Sequence, residues 1–264
     1  MTDPDDLALA LAQLTVDAGR VVMDVYATDF AVRTKEDASP VSEADERAEE
    51  VLLAGLSALL PGVTVVAEEA VSAGGLPEVP REFLLVDPLD GTREFVSRNG
   101  DFTVNVALVR DGAPVCGAVY APARGTAYAG GTRAVRADVA PGARLVATAP
   151  VRTRAYPEGG LVAVASRSHL DDATRAFLDR LQPADLRSAG SSLKLCLVAA
   201  GEADVYPRFG PTMEWDIAAG HAVLAAAGGQ VLTPDGAPFR YGKTADGLRN
   251  GAFIAWGGAP ALHP

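Results

Sequence analysis

The chain has 264 residues, 48% of them hydrophobic and 22% charged, which excludes a disordered or fibrous protein and fits one large domain or two halves sharing a cleft. With 34 acidic against 23 basic residues, the formal net charge of -11 argues against a nucleic-acid coat or a basic membrane binder. Taken alone, that charge also argues against an anionic substrate.

In chain order, the acidic start Met1 to Asp6 lacks the basic n-region of a secretory signal. Residues 5–26 place Leu7, Leu11, Leu14, Ala18, Val21, Val22 and Val25 at helical spacing, which predicts an amphipathic helix. A second helix is expected from near Ser42, where Ser42 and Asp45 resemble a capping box. Its apolar face would be Ala48, Val51, Leu52, Leu56 and Leu59, and Pro61-Gly62 would end it. A short strand, Val63 to Ala67, then runs into Glu68-Glu69, and Ser72 to Pro80 reads as a loop. Glu82 to Val86 is a strand expected to stop at Asp87-Pro88. Phe102 to Val109 and Ala113 to Tyr120 form a hairpin about Arg110-Asp111-Gly112, and Thr126 to Gly130 adds a third strand.

Asp138 to Gly160 is rich in Pro, Gly and Arg and marks a boundary between lobes 1–150 and 151–264. The second lobe reads as a strand (161–165), helices at 171–181 and 191–200, a strand (203–207), a helix (215–227) and two C-terminal strands. The mixture predicts a layered α/β protein whose strand ends meet at a cleft. No apolar stretch approaches the ~18–20 residues of a membrane helix. Cys116 and Cys196 lie in apolar runs and read as reduced core thiols, so the cytoplasm is the expected compartment.

The densest chemical signal is Asp87-Pro88-Leu89-Asp90-Gly91-Thr92. Its two carboxylates follow an apolar strand, Gly91 permits a tight turn, and Thr92 could cap a short helix through Phe95. Hard cations such as Mg²⁺ take carboxylates and backbone carbonyls, and phosphates take helix-start N–H groups. Read locally, the same residues also describe a surface turn. Glu68-Glu69 reads equally as a solvated loop, and Asp216 and Asp45 as first-turn helix acids.

Together, Glu68-Glu69, Asp87 to Thr92 and Trp215-Asp216-Ile217-Ala218-Ala219-Gly220 resemble the lithium-sensitive, Mg²⁺-dependent phosphatase superfamily that includes inositol monophosphatase, in its order. Asp87 to Val109, Lys35 to Asp45, Ser166 to His169, Gly190 to Ala200, Tyr206 to Gly210 and Glu214 to Leu224 look like its CysQ-type 3′(2′),5′-bisphosphate nucleotidase branch. Inositol phosphatases more often have T-T-N-F at Thr92-Arg93-Glu94-Phe95, and a substrate-gripping carboxylate where this chain has Phe209.

The resemblance implies a two-lobed αβαβα sugar-phosphatase fold with the first lobe carrying most metal ligands. Glu68, Asp87, the Leu89 carbonyl, Asp90 and Asp216 would hold two or three Mg²⁺. A metal-activated water would be oriented by Asp45 and Thr92, and the phosphate would rest on Gly91 and Thr92. The remaining substrate contacts would come from Ser166, Arg167, His169, Gly190, Ser191, Lys194, Tyr206, Arg208 and Asp216. For these, structural readings stay open: Ser191 as a helix cap, His169 as a surface cap, Tyr206 and Arg208 as sheet-edge residues. His221 reads as a core histidine.

The substrate implied is a small anionic nucleotide of sulfur metabolism, 3′-phosphoadenosine 5′-phosphate, cleaved to AMP and phosphate. No nucleic-acid polymer or integral membrane partner is expected, and monomer and homodimer both stay open. An inositol or sugar monophosphatase is the alternative, and a non-catalytic metal- or nucleotide-binding relative is a third reading. The local charge of bound Mg²⁺ would reverse the argument from net charge.

Overall fold

A computed structural model describes residues 3–28, 43–140, 142–166 and 170–261, with the backbone alone at 32–34 and 40–42. Lys35 to Ser39 and Arg167 to His169 lie outside the described residues. Helix α1 (Pro4–Tyr26) starts where sequence chemistry demands: Asp3 accepts from the Asp5 N–H and Pro4 occupies the first turn. Strands β1 (Val32–Thr34) and β2 (Pro40–Ser42) pair antiparallel and lead into α2 (Glu43–Leu59). Asp45, Ala48, Glu49, Leu52 and Leu56 form the buried face of α2, whereas Leu59 is exposed.

Strand β3 (Thr64–Ala67) runs straight into α3 (Glu68–Gly74), so the expected loop from Ser72 is helical at its start. Then come β4 (Glu82–Asp90), α4 (Thr92–Val96), β5 (Thr103–Arg110), β6 (Ala113–Ala121), β7 (Thr126–Gly130), β8 (Ala134–Ala140) and β9 (Arg144–Val151). These strands form one seven-stranded sheet in sequence order, antiparallel except for the parallel pair β3–β4.

Pro88 does not stop β4. The strand continues to Asp90, and its pairing with β5 shifts register between Asp87 and Asp90. The irregular step accommodates a residue that has no N–H for the ladder. β9 lies within the Pro-, Gly- and Arg-rich segment 138–160 read as a boundary, and β8 runs into its start.

The second sheet follows the order β11-β10-β12-β16-β14, built from β10 (Val162–Ser166), β11 (Asp185–Ala189), β12 (Val205–Arg208), β14 (Gln230–Leu232) and β16 (Phe253–Trp256). β13 (Thr212–Met213) and β15 (Arg249–Asn250) form a separate pair. The helices here are α5 (Asp172–Leu181), α6 (Leu193–Ala199) and α7 (Trp215–Ala226). β11 was not expected from sequence.

Alternation along β4 and β5 sets the layers. Leu84, Val86, Val104 and Val106 face α1 and α2, while Phe83, Leu85, Ala107 and Val109 face the cluster containing α6 and α7. Beyond α6 and α7 lies the second sheet, whose outer face is covered by Phe177 and Leu178 of α5. The result is the expected αβαβα arrangement. Burying such side chains is worth about 1.5–3 kcal/mol each, so β4 is anchored on both faces before its carboxylates are considered. α7 lies directly on the first sheet because Gly117 and Gly130 present no side chain. A Cβ at Gly130 would meet Val223 Cα at 2.5 Å, and one at Gly117 would meet Ala219 Cα at 3.0 Å. Cys116 and Cys196 are buried and unbonded, as expected, and burial pushes the Cys116 thiol up to about 12.

Candidate active site

The end of β4, the start of α7 and the turn before α6 surround a cavity of about 690 Å³. Glu68, Asp87, Leu89, Asp90, Gly91, Thr92, Ser166, Ser191, Lys194, Tyr206, Arg208 and Asp216 all line it. These residues are dispersed over most of the chain and were nominated from sequence. Asp45 is buried in the first turn of α2. Gly190 stands behind the cavity wall rather than in it. Phe209 packs on Phe177, with ring centroids 5.5 Å apart, in the outer core.

Each of three carboxylates is oriented by a backbone N–H. Asp87 Oδ1 accepts from Leu89 N at 3.1 Å, Asp90 Oδ2 from Ser192 N at 2.7 Å, and Asp216 Oδ2 from Met213 N at 2.8 Å. Ser192 Oγ adds a second donor to the same Asp90 oxygen at 3.3 Å.

The electrostatics are those of acids forced together. Burial, then the charges of Glu68, Asp90, Asp216 and Asp45, holds Asp87 well above the usual carboxylate range. Burial and the neighbouring Asp90 and Glu68 do the same to Asp216. Asp90 is also raised by burial, against the pull of Lys194 and the Ser192 N–H.

Opposite the acids stand cations. Lys194 donates to the Ser191 carbonyl at 2.5 Å and lies 5.3 Å from the Tyr206 ring centroid. Burial lowers the Lys194 pKa to about 8 while Asp90 resists the shift. Arg208 is buried and held by the carbonyls of Gly210 and Pro211, at 3.3 and 3.1 Å.

Two local expectations change. Thr92 does not cap α4. Gly91, at φ 90°, is the cap residue, and the Thr92 hydroxyl turns back to the Leu89 carbonyl at 3.4 Å. Ser191 is not a helix cap either: its hydroxyl donates to the Asp90 carbonyl at 2.5 Å, from a left-handed backbone at φ 51°.

A model described as the inositol monophosphatase family matches residues 3–254. The chain belongs to that family. A 3′(2′),5′-bisphosphate nucleotidase CysQ of Salmonella typhimurium is 43% identical over 234 residues, covering 88% of this chain and 92% of that protein. The Escherichia coli K12 protein of the same name is 42% identical over 235 residues, with the same coverage. The crystal structure of CysQ from Bacteroides thetaiotaomicron matches with a TM-score of 0.79 at 36% identity, covering 96% of this chain and 97% of that one. An inositol monophosphatase from Anabaena gives 0.73 at 26%, over 96% and 91%.

Within this family framework, Asp101 and Glu49 are supports that the sequence did not single out, and Ser192, read there as an N–H and hydroxyl donor toward substrate, donates to Asp90. Ser192 bridges Asp90 and the Asp216 carbonyl, the latter at 2.6 Å. Asp101 accepts from Gly190 N at 3.1 Å and from Arg124 at 2.5 Å. Glu49 accepts from Glu69 N and Ala70 N, at 2.9 and 2.8 Å, and so fixes the helix start that carries Glu68. Glu49 left a signal: it is a carboxylate four residues after Asp45 on an otherwise apolar face. His221, read as a core residue, is buried and lies 2.9 Å from the Tyr241 hydroxyl.

Proposed function

We propose that this chain is a Mg²⁺-dependent 3′(2′),5′-bisphosphate nucleotidase that hydrolyses the 3′-phosphate of 3′-phosphoadenosine 5′-phosphate to AMP and phosphate. One observation carries the reading: oriented carboxylates and two buried cations line the same cavity. The relatives named CysQ support the choice of substrate.

The donor set fits Mg²⁺. All the acids offer hard oxygens, and Asp87 and Asp216 are raised by burial and then by the repulsion of neighbouring carboxylates, which a cation relieves. No three His, Cys, Asp or Glu side chains among the described residues close on a single point. Mg²⁺ keeps several waters and takes one or two carboxylates plus phosphate oxygens. Glu68, Asp87, the Leu89 carbonyl, Asp90 and Asp216 would hold two or three such ions. When bound, they would supply Lewis-acid charge on the phosphoryl oxygens.

The chain's own residues do the rest. Thr92 and Asp45 would orient the attacking water, with its proton relayed through the Thr92 hydroxyl to the Asp45 carboxylate. Gly91 and Thr92 N–H groups face the phosphate undergoing cleavage. Lys194 and Arg208 hold the second phosphate, Lys194 as a point charge and Arg208 as a planar fork. Tyr206, Ser166, Ser191, Arg167 and His169 complete the nucleoside contacts. The proposal extends to a cytoplasmic role in sulfur metabolism and to inhibition by millimolar Li⁺.

The test is phosphate release at fixed Mg²⁺ from 3′-phosphoadenosine 5′-phosphate and from inositol 1-phosphate. Faster turnover of the nucleotide is expected. Efficient turnover of inositol 1-phosphate with none of the nucleotide would move the chain to the inositol branch.

A further inference from the structure

Strands β4 and β5 pair their side chains across one face in a graded series. Phe83 stands opposite Val109, Leu85 opposite Ala107, Asp87 opposite Asn105, and Asp90 opposite Thr103. The first two pairs are apolar and pack on the layer of α6 and α7. The last two set each acid against a side chain that can donate a hydrogen bond.

Neither donor is in use. Thr103 is fully buried and Asn105 is 1% exposed. Among the described residues, the Thr103 hydroxyl and both ends of the Asn105 amide have no hydrogen-bond partner. Native proteins pair almost all such groups, and an apolar residue of similar shape would fill either position without desolvating a polar one. Another buried donor without a partner, Trp215 Nε1, belongs to the residue that adjoins Asp216. Every unpaired buried side-chain donor among the described residues thus lies opposite or beside one of the acids.

We infer that Asn105 and Thr103 are positioning residues for Asp87 and Asp90, donating to these carboxylates when they hold a cation. The inference rests on the metal reading proposed above. Ligating carboxylates are themselves fixed by hydrogen bonds from behind, and losing such a partner typically weakens metal binding about 10–100-fold. Directly opposed residues have Cβ atoms about 4.5–5.5 Å apart, so rotation about a side-chain torsion carries either donor to the facing acid. The Leu89 and Ser192 N–H groups already orient the same two acids. Asn105 and Thr103 add the support of the neighbouring strand. Neither lines the cavity, so they act through the acids and not on the substrate.

The experiment is calorimetric titration of the full chain with Mg²⁺, together with urea unfolding of the metal-free protein. Asn105→Leu and Thr103→Val keep the branched outline of each side chain and delete its donor, whereas Thr103→Ser keeps the hydroxyl. Mg²⁺ affinity is expected to fall roughly tenfold or more in Asn105→Leu and severalfold in Thr103→Val, and to stay near the parent's in Thr103→Ser. The metal-free variants should unfold at a urea midpoint no lower than the parent's, because an unpaired buried group has been removed. If Asn105→Leu does not fold, the two Thr103 variants decide. Parent-like affinity in the donor-deleting variants overturns the inference. So does an affinity loss matched by a loss of metal-free stability, which would make the two residues packing groups. A parent chain that binds no Mg²⁺ would remove the metal reading itself, and this inference with it.

Discussion

Asp87 and Asp216 are held by their own neighbourhoods, whereas Asp90 is held from across the cavity. Asp87 uses the N–H two residues on, and Asp216 the N–H three residues back. Asp90 depends on Ser191 and Ser192, about a hundred residues away, and those depend on Gly190 and Asp101. The two local acids are set once β4 and α7 form. Asp90 is set only when the two sheets dock, so it reports on the assembly of the whole site.

Breaking that contrast at its centre should have the largest effect. Asp90→Asn is expected to lower kcat for nucleotide hydrolysis by roughly 10³-fold, about 4 kcal/mol, with the circular dichroism spectrum unchanged. Phosphate release at the parent rate would remove Asp90 from the machinery. Gly190→Ala comes next. Its methyl would lie 2.6 Å from the Asp101 carbonyl oxygen and 2.9 Å from Glu94 Cγ. A destabilisation of about 1–3 kcal/mol is expected by urea denaturation, with a parallel fall in activity as the turn shifts off Asp90.

A third test separates the site from the helix beneath it. Burial lowers the His221 pKa to about 4, from an ordinary value near 6.5. Between those values the unfolded chain binds the extra proton and the folded chain does not. Stability is therefore lost as pH falls through 6.5, by about 2 kcal/mol between pH 7 and 5. His221→Gln should lose less over that interval, and an equal loss in both proteins would assign the effect elsewhere. The smallest effect is expected from Ser192→Ala. It removes the hydroxyl but keeps the N–H on Asp90, so about 1 kcal/mol of stability and a several-fold drop in kcat are expected. A loss as large as that of Asp90→Asn would mean that the hydroxyl, not the amide, fixes the carboxylate.

The same contrast explains what could be read from sequence. Asp87, Asp90, Gly91 and Thr92 are contiguous, and the hairpin 103–121 announces itself by its two apolar runs about Asp111-Gly112. Long-range supports are silent by comparison. Asp101 looks like any loop acid until the turn before α6 packs against it, and Ser192 reads from sequence as a donor toward substrate rather than as the support of Asp90. β8 and β9 were missed because β9 is exposed along most of its length, so no alternation of apolar residues marks it. Pro88 misled because its rule applies to a regular ladder, and the register shift at Asp87–Asp90 removes the missing hydrogen bond from the count.

The two glycines beneath α7 have a consequence for the width of the active site. Asp216 rides on α7, and Asp87 and Asp90 ride on β4, so the thickness of the helix–sheet contact sets how far apart the acids stand. That thickness is dictated by Gly117 and Gly130, on strands that contribute nothing to the cavity lining. They act as a spacer of zero height. Any side chain there would wedge the helix outward and carry the last acid with it, so the gauge of this site is kept by positions that never touch a substrate.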